Sequence, residues 1–511
     1  MNLAHTHTAD TDPRLAIVRD FAERMDEAGI SYCHWKSNES LDVAVRGDTD
    51  LDVLFDEKDI QRVEALLARM GFLKSRAIWL RRYPGVEDFI GIDPTTGKLV
   101  HLQAHYQLVL GETSVKTYRL PWEAELLSTR ILDQTNHICR AAPAWEYLLL
   151  VIREAIKLKP SAQVLGSLGH PMKDAAKSAG ELAWLRERVN PDDVLKLARE
   201  HIGKAASASL HALLKKGWNI PDIRAFRAVA KPALRHHRRF GPFRALAENW
   251  SRGLGTLATR IARKLGIRRF PLRRTFPDTG IIIAILGADG SGKSTLHKLL
   301  SQELAKKFDV WPLYMGSGIG DVSLLRWPLL KLKQALRRDG IPDVTPSAST
   351  PKVDKRRGIA GTTFNTLWCL SLALEKRIRL GHAARAKKRG MIVICDRYPQ
   401  TKIRGYNDGP LLPQEKFKST FMKALVRWEH ASYERAITCP PDLAIRLIGD
   451  PAIMAARRPE MTEEWIARKQ SGVIDFEFSQ STRVVDIDPA KPLADVFAAA
   501  MRAAADRLRS Q

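Results

Sequence analysis

Residues 281–295 read IIIAILGADGSGKST, and this stretch decides the fold of the C-terminal part of the chain. Six apolar residues of strand length lead into a loop from Gly287 to Ser294 that fits the pattern GxxxxGK(S/T), and a helical pattern follows. Glycines allow the backbone to turn tightly and to bring its N–H groups close to anionic oxygen atoms. The N-terminus of the following helix adds the positive end of its dipole. Strand, loop and helix in this order predict a site for the phosphates of a nucleoside triphosphate.

The side chains of this loop have separate tasks. Lys293 is placed to contact the β- and γ-phosphates, and the Ser294 hydroxyl to ligate Mg²⁺. The candidate nucleotide-binding residues are Gly287, Asp289, Gly290, Ser291, Gly292, Lys293, Ser294 and Thr295. Kinases, ATPases and GTPases all use such a loop, so the motif predicts binding of ATP with Mg²⁺ and leaves open what the protein does with them.

Strand and helix patterns alternate after residue 280. The predicted strands are 281–286, 310–315, 391–395, 442–448 and 483–488. Short apolar runs separated by helices are typical of a parallel sheet that is covered on both faces. We therefore expect an α/β domain with a five-stranded parallel sheet and helices on both faces. The stretch 332–360 is rich in Pro, Gly, Ser, Thr and basic residues, and its composition predicts a loop.

An acidic and a basic residue follow the third of these strands, in the sequence MIVICDRYP at 391–399. Ligands of open α/β sheets bind at the carboxyl ends of the strands. Asp396 is therefore a candidate Mg²⁺ ligand, and Arg397 is a candidate for stabilising charge on a transferring phosphoryl group.

The region 280–508 resembles the thymidylate kinase family of nucleoside monophosphate kinases. The resemblance rests on GADGSGKST, on DRY at 396–398, on PDLAIRLIGDPAIMAARRP at 441–459 and on VVDIDPAKPLADVFAAAMRAA near the C-terminus. It implies that ATP and Mg²⁺ are bound and that the γ-phosphate moves to a nucleoside monophosphate or another small phosphorylated acceptor.

The resemblance also implies roles for particular residues. Asp289 would face the acceptor, and Arg397 would contact phosphate. A basic lid would close over the donor, and the residues that match it are Arg457, Arg458, Arg468 and Lys469. The same lid residues would equally suit an exposed amphipathic helix.

Two stretches depart from the family. The place of its EPGGT-like acceptor loop is taken by YMGSGIG, from Tyr314 to Gly320, and DRY is followed by PQTKIRGYNDGP. The acceptor therefore stays open, and the loops at 316–320 and 404–410, with Asp408, are where a different acceptor would bind.

The N-terminal part carries a pair of carboxylates. Asp50 and Asp52 lie at the start of an alternating strand pattern, so both point to one face, where they could hold Mg²⁺. With Lys36 and Ser37 upstream, the spacing resembles the nucleotidyltransferase fold shared with polymerase β. That family uses a third carboxylate on a later strand. The candidate strand 98–106 offers His101, Gln103 and His105 but no acid, and Asp93 in the preceding turn is a possible substitute.

Composition bounds the remaining possibilities. The net charge is +25, and residues 231–275 contain thirteen Lys and Arg residues against the single acid Glu248. That segment could bind nucleic acid, an anionic membrane or an acidic partner, or it could be a solvated basic linker. The five cysteines are scattered, and no apolar run approaches membrane-spanning length, so we expect a cytoplasmic protein without a spanning helix.

These patterns together predict four regions: a nucleotidyltransferase-like α+β domain over 1–120, a helical domain over 121–265, a basic linker over 266–280 and a kinase-like domain over 281–511. The leading function is an ATP- and Mg²⁺-dependent phosphotransferase. One alternative is a nucleotidyltransferase that acts through Asp50 and Asp52. The other is a catalytically degenerate ATP-sensing module that binds an acidic partner through the basic segment.

Overall fold

The computed structural model describes residues 12–112, 115–158, 173–264, 270–316, 359–401, 408–412 and 419–510. The chain divides into two compact units, one within Thr6–Arg274 and the other within Thr275–Gln511. The boundary falls inside the stretch 266–280, and the helices between residues 121 and 265 belong to the same unit as the N-terminal sheet.

The N-terminal unit is an α/β domain built on a mixed sheet. Its strands are β1 (Tyr32–His34), β2 (Leu51–Phe55), β3 (Leu73–Ser75), β4 (Val86–Ile92), β5 (Leu99–His105), β6 (Leu108–Glu112), β7 (Val115–Leu120), β8 (Ile131–Leu132) and β9 (Cys139–Arg140). Seven strands form one sheet in the order β3-β4-β5-β2-β1-β9-β8, and β6 pairs with β7 separately. In the middle of the large sheet, β2 and β5 run parallel, so the residues next to Asp50 and Asp52 come from β5.

Some helices of this unit pack on the sheet, and others form a helical core beside it. They are α1 (Ala16–Glu27), α2 (Leu41–Ala44), α3 (Ile60–Arg69), α4 (Glu123–Ser128), α5 (Pro143–Lys157), α6 (Lys173–Arg186), α7 (Pro191–His201), α8 (Lys204–Lys216), α9 (Ile220–Ala233) and α10 (Pro242–Lys264). Helix α5 is buried on almost every side because its sequence, PAWEYLLLVIREAIK, is apolar around most of the helix. It forms the centre of a core to which α6–α9 contribute.

The C-terminal unit has the predicted five-stranded parallel sheet with helices on both faces. The strands are β10 (Ile282–Gly287), β11 (Val310–Tyr314), β12 (Ile392–Asp396), β13 (Leu443–Leu447) and β14 (Arg483–Ile487), in the order β11-β12-β10-β13-β14. Every neighbouring pair is parallel. Strands β10 and β12 are buried almost throughout, which explains their uninterrupted apolar sequences.

The helices of this unit are α11 (Lys293–Leu304), α12 (Ile359–Lys387), α13 (Thr420–Thr438), α14 (Pro451–Ala456), α15 (Glu463–Ile474) and α16 (Leu493–Arg509). The loop from Gly287 to Ser294, which we call the phosphate loop, lies at the end of the central strand β10, and the sequence DRY at 396–398 lies at the end of its neighbour β12. Both motifs therefore lie at the same edge of the sheet. The predicted loop 332–360 lies outside the described residues, except for the first two residues of α12.

Candidate functional site

The backbone of the phosphate loop is shaped by glycines between β10 and α11. Gly290 and Gly292 have φ angles of +85° and +84°, values that residues with a Cβ atom rarely adopt. At Gly290 there is also no room for a side chain, because a Cβ would lie 2.9 Å from the carbonyl oxygen of Met454. Helix α14 therefore approaches the loop backbone directly.

Lys293 lies in the first turn of α11 with its side chain buried. Its Nζ donates a hydrogen bond of 2.5 Å to the carbonyl oxygen of Ala288, inside the loop. Burial, reinforced by the nearby charge of Arg397, lowers the pKa of Lys293 to about 8. An incoming phosphate would restore the full charge of this ammonium group because opposite charge favours the protonated form.

Asp289 lies among three cations. Lys469 donates a hydrogen bond to it from α15, Arg397 donates one of 3.1 Å, and the Nζ of Lys293 is 3.9 Å away. Burial alone would raise the pKa of Asp289, but the bond from Lys469 and the surrounding charges outweigh it and hold the pKa at about 2. Asp289 therefore stays ionised and gathers these cations at the loop.

Ser294 and Asp396 meet across the edge of the sheet. The Ser294 hydroxyl donates a hydrogen bond of 3.0 Å to Oδ2 of Asp396. The other carboxylate oxygen, Oδ1, is buried and has no hydrogen-bond partner. The hydroxyl of Ser291 is also buried and also lacks a hydrogen-bond partner. A hydroxyl next to a carboxylate with an unused oxygen fits Mg²⁺, which prefers oxygen ligands.

Arg397 joins the loop to the neighbouring strand end. Its φ is +73°, so the chain turns sharply after β12 and sends the side chain back across the edge of the sheet. The guanidinium group lies between Asp289, at 3.1 Å, and Asp408, at 3.6 Å. Although burial opposes its charge, these two carboxylates raise the pKa of Arg397 above its usual value.

A second ion pair lies behind Arg397. The Nζ of Lys376, from the middle of α12, is 3.2 Å from Oδ1 of Asp408, and both side chains are buried. The ammonium group also lies 5.0 Å from the ring centre of Tyr433. Sequence reasoning marked Asp408 but missed Lys376, because a single lysine in the pattern SLALEKRIRL gives no sign that it points inward.

Two of the other lid residues form polar contacts away from the phosphate loop. Arg457 donates to the carbonyl oxygen of Pro489, and the exposed Arg458 pairs with Glu460. Arg468 is exposed on α15, and Thr295 is exposed in the first turn of α11. Among the four basic residues matched to the lid, Lys469 thus donates a hydrogen bond to the loop, and the side-chain stem of Arg458 lies beside Gly290.

The two N-terminal carboxylates face β5. Oδ1 of Asp50 lies 2.8 Å from Nδ1 of His101, and Oδ1 of Asp52 lies 2.9 Å from Lys36 and 3.2 Å from His105. Burial opposes ionisation of Asp52, but Lys36 and His105 outweigh it and hold the pKa well below its usual range. Both carboxylates therefore already have cationic or hydrogen-bonding neighbours.

The nearest further acid comes from β4. Asp88 lies 2.7 Å from Nε2 of His101 and 3.0 Å from Arg274. Asp93, the candidate from sequence, instead accepts hydrogen bonds from Thr96 and from the backbone of Ile17, so it organises a turn. His101 therefore lies between Asp50 and Asp88, where a third carboxylate on β5 would have been expected.

A separate acidic cluster holds the loop that contains Lys36. Glu181 accepts a hydrogen bond from the backbone N–H of Ser37, and Glu146 accepts one from that of Asn38. Oxygens of Glu39, Glu146 and Glu181 lie within 4.8 Å of one another. Burial raises the pKa of Glu146 to about 7. Two backbone N–H groups of this loop are therefore already hydrogen-bonded to carboxylates.

Comparison with known proteins finds similar sequences, while no protein-family model matches the chain. The uncharacterized ATP-binding protein YghR of Escherichia coli K12 is 28% identical over 225 residues, which are 43% of this chain and 86% of YghR. The uncharacterized ATP-binding protein YghS of the same organism is 27% identical over 226 residues, 43% of this chain and 91% of YghS.

Proposed function

We propose that the protein is an ATP- and Mg²⁺-dependent phosphotransferase that moves the γ-phosphate of ATP to a small phosphorylated acceptor. The observation that carries this proposal is the cluster of Lys293, Arg397 and Lys469 around Asp289, next to the pair formed by Ser294 and Asp396. The names of YghR and YghS support the ATP-binding part of it.

The donor would lie in the phosphate loop. The loop N–H groups and Lys293 would hold the β- and γ-phosphates, while Ser294 and Asp396 would hold Mg²⁺, which neutralises phosphate charge when bound. Lys469 would exchange its contact with Asp289 for one with the nucleotide. These groups position and neutralise, and transfer of a phosphoryl group needs little more from a protein.

The acceptor would lie beyond Arg397, on the side of Asp408 and Lys376. An anionic acceptor could take the place of Asp408 beside Arg397, because a carboxylate and a phosphate bind a guanidinium group in the same way. An oxygen of the acceptor would then attack the γ-phosphorus as the bond to the β–γ bridging oxygen breaks, leaving ADP. Residues 317–320 and 402–407, where sequence reasoning also places the acceptor, lie outside the described part of the chain.

The test follows ATP labelled on the γ-phosphorus, or on the α-phosphorus, during incubation of the full chain with Mg²⁺ and a small-molecule extract. We expect γ-label in a metabolite, and we expect Lys293→Ala to lower its rate at least a hundredfold, as removal of a preorganised charge contact does in comparable sites. Lys298→Ala, which removes an exposed lysine from the same helix, is the matched control and should retain the rate.

Other labelling results would overturn the proposal. Transfer of the α-label, lost in Asp50→Ala, would identify a nucleotidyltransferase. ATP binding without transfer of either label would identify an ATP-sensing module. The crowding of Asp50 and Asp52 by His101, Lys36 and His105 is the reason that the nucleotidyltransferase ranks second.

A further inference from the structure

Helix α10 has an apolar stripe that faces away from its own unit. Six large apolar side chains are spaced three or four residues apart, which places them on one face of the helix. Their exposed fractions range from 50% to 88%, and they are Phe243, Leu246, Trp250, Leu254, Leu257 and Ile261. Large contiguous apolar patches are uncommon on soluble monomers and usually mark an interaction site.

The opposite face of α10 packs against the N-terminal unit. Ala245 and Thr259 are buried there, and Arg252 donates a hydrogen bond of 3.3 Å to the carbonyl oxygen of Leu80. At Gly255 a Cβ would lie 3.0 Å from the ring of Trp79. The helix is thus held by its small and polar residues, whereas an ordinary surface helix buries its apolar face.

Basic residues lie beside this stripe. The segment 231–275 carries thirteen basic residues and one acid. Arg260 and Lys264 are exposed and lie beside the stripe on the helix.

A basic cleft of about 440 Å³ lies along the other flank of α10. Its charged lining consists of five basic residues and two acids, namely Arg82, Lys116, Arg239, Arg244 and Arg252 with Glu87 and Glu248. Positive charge is therefore in excess in this cleft, and partial burial with the charges of Arg119 and Arg244 lowers the pKa of Arg239. Anionic groups placed against this flank would relieve that excess.

We propose that α10 is an interfacial helix that lies in the surface of an anionic phospholipid bilayer. The apolar stripe would enter the boundary between headgroups and acyl chains, and the flanking arginine and lysine side chains would contact lipid phosphates. Apolar residues on one face with basic residues beside them are the pattern of helices that lie in a membrane surface. Among the described helices, none is long and apolar enough to cross a bilayer.

The composition of the stripe favours lipid over two other occupants. Nucleic acid would be bound through phosphates and base stacking, but four of the six stripe residues are aliphatic, and a nucleic acid would leave these exposed to water. A second copy of this chain would bring two strongly basic segments together, and like charges would oppose that contact.

The experiment is sedimentation of the full chain with vesicles of phosphatidylserine and phosphatidylcholine, and with vesicles of phosphatidylcholine alone. We expect binding to the anionic vesicles that weakens as salt is added. The double variant Leu254→Gln/Leu257→Gln should lower the affinity by about tenfold or more, because binding scales with buried apolar area. Ser251→Gln, an exposed change on the same helix but off the stripe, should leave the affinity unchanged.

One further variant tests the contribution of the basic residues, and two measurements test whether all variants are folded. Arg260→Gln/Lys264→Gln should lower the affinity for anionic vesicles by about fivefold for each charge and leave weak binding to neutral vesicles unaltered. Far-ultraviolet circular dichroism and binding of MgATP should be the same in every variant, since the stripe lies outside the unit that contains the phosphate loop.

Four results would overturn the inference. Two of them are equal sedimentation of Leu254→Gln/Leu257→Gln and the unaltered chain, and binding to DNA or RNA oligonucleotides without binding to vesicles. The other two are a dimer in solution that the same double variant dissociates, and no sedimentation with either kind of vesicle.

Discussion

At the scale of single residues, the candidate site keeps its charged side chains paired with one another. Asp289 remains ionised because Lys469 and Arg397 donate to it, and Lys293 is turned onto its own loop at Ala288. Under the proposed function, each of these contacts would be exchanged for one with a phosphate. The network therefore orders the cationic side chains before a ligand binds, which reduces the entropic cost of binding.

The lowered pKa of Lys293 gives ATP binding a pH dependence. With a pKa of about 8 in the free protein, Lys293 is charged below pH 8 and loses its proton as the pH rises through that value. Bound phosphate favours the charged form, so the affinity for MgATP should be level up to about pH 8. Above it, the affinity should fall by up to tenfold for each pH unit.

Isothermal titration calorimetry at several pH values measures this dependence, and Lys293→Arg is the control. The guanidinium group stays charged throughout the range, so this variant should bind more weakly but with level affinity. The same slope in both proteins would show that another group titrates.

At the scale of elements, the site depends on what each strand end and helix brings to one edge of the sheet. Helix α15 carries two adjacent cations, of which Lys469 is buried against Asp289 while Arg468 is exposed. In the N-terminal unit, Glu146 from α5 holds the backbone of the loop after β1. In both units a helix fixes the loop that precedes it in the chain.

The two cations of α15 should differ in their effect on transfer. Lys469→Ala removes the partner of Asp289 and the proposed lid cation, so we expect the γ-phosphate transfer rate to fall by about a hundredfold. Arg468→Ala removes the neighbouring charge and should cost several-fold at most. Equal losses in a steady-state assay would mean that α15 turns its other face to the nucleotide.

Glu146 should make the stability of the N-terminal unit depend on pH. Its pKa is about 7 in the folded chain against 4.5 for the free side chain, so the folded state binds the extra proton between these values. Stability is therefore greatest below about pH 4.5 as far as this group is concerned, and it falls as the pH rises to 7. The full effect is at most about 3 kcal/mol.

Thermal unfolding between pH 5 and 8 follows this effect. Glu146→Gln should flatten the dependence, because the amide cannot ionise. Glu187→Gln, which alters an exposed glutamate, should keep the slope of the unaltered chain. A slope that survives in Glu146→Gln would assign the proton to a different carboxyl group.

At the scale of the whole molecule, each unit has a hydrophobic core of its own. One core contains the central strands β10, β12 and β13, and others lie on the two sides of the N-terminal sheet. The phosphate loop and its cations belong entirely to the C-terminal unit. The carboxylates Asp50 and Asp52 and the helix α10 belong to the N-terminal unit.

Calorimetric unfolding of the full chain should therefore show two transitions, of which MgATP moves one. At a ligand concentration a hundred times the dissociation constant, the bound unit gains about 2.7 kcal/mol, enough to raise its Tm by several degrees. Lys293→Ala should abolish that shift and leave the other transition in place. One transition that moves as a whole would show that the two cores unfold together.

The amino-acid sequence by itself determined the phosphate loop and the five-stranded parallel sheet. Both are local signals: the glycine spacing from Gly287 to Ser294 fixes the loop, and each buried strand is a short apolar run. The same local reasoning placed Asp396 and Arg397 at the correct edge, because the carboxyl ends of neighbouring parallel strands meet there.

Only the tertiary structure decided which charges meet. Arg397 and Lys469 reach Asp289 across 108 and 180 positions of sequence, and Lys376 reaches Asp408 from inside a helix. Periodicity carries no information about contacts over such separations. Periodicity also reveals the apolar stripe of α10, but it does not tell whether the stripe faces the core or the solvent. The packing of the rest of the unit decides that.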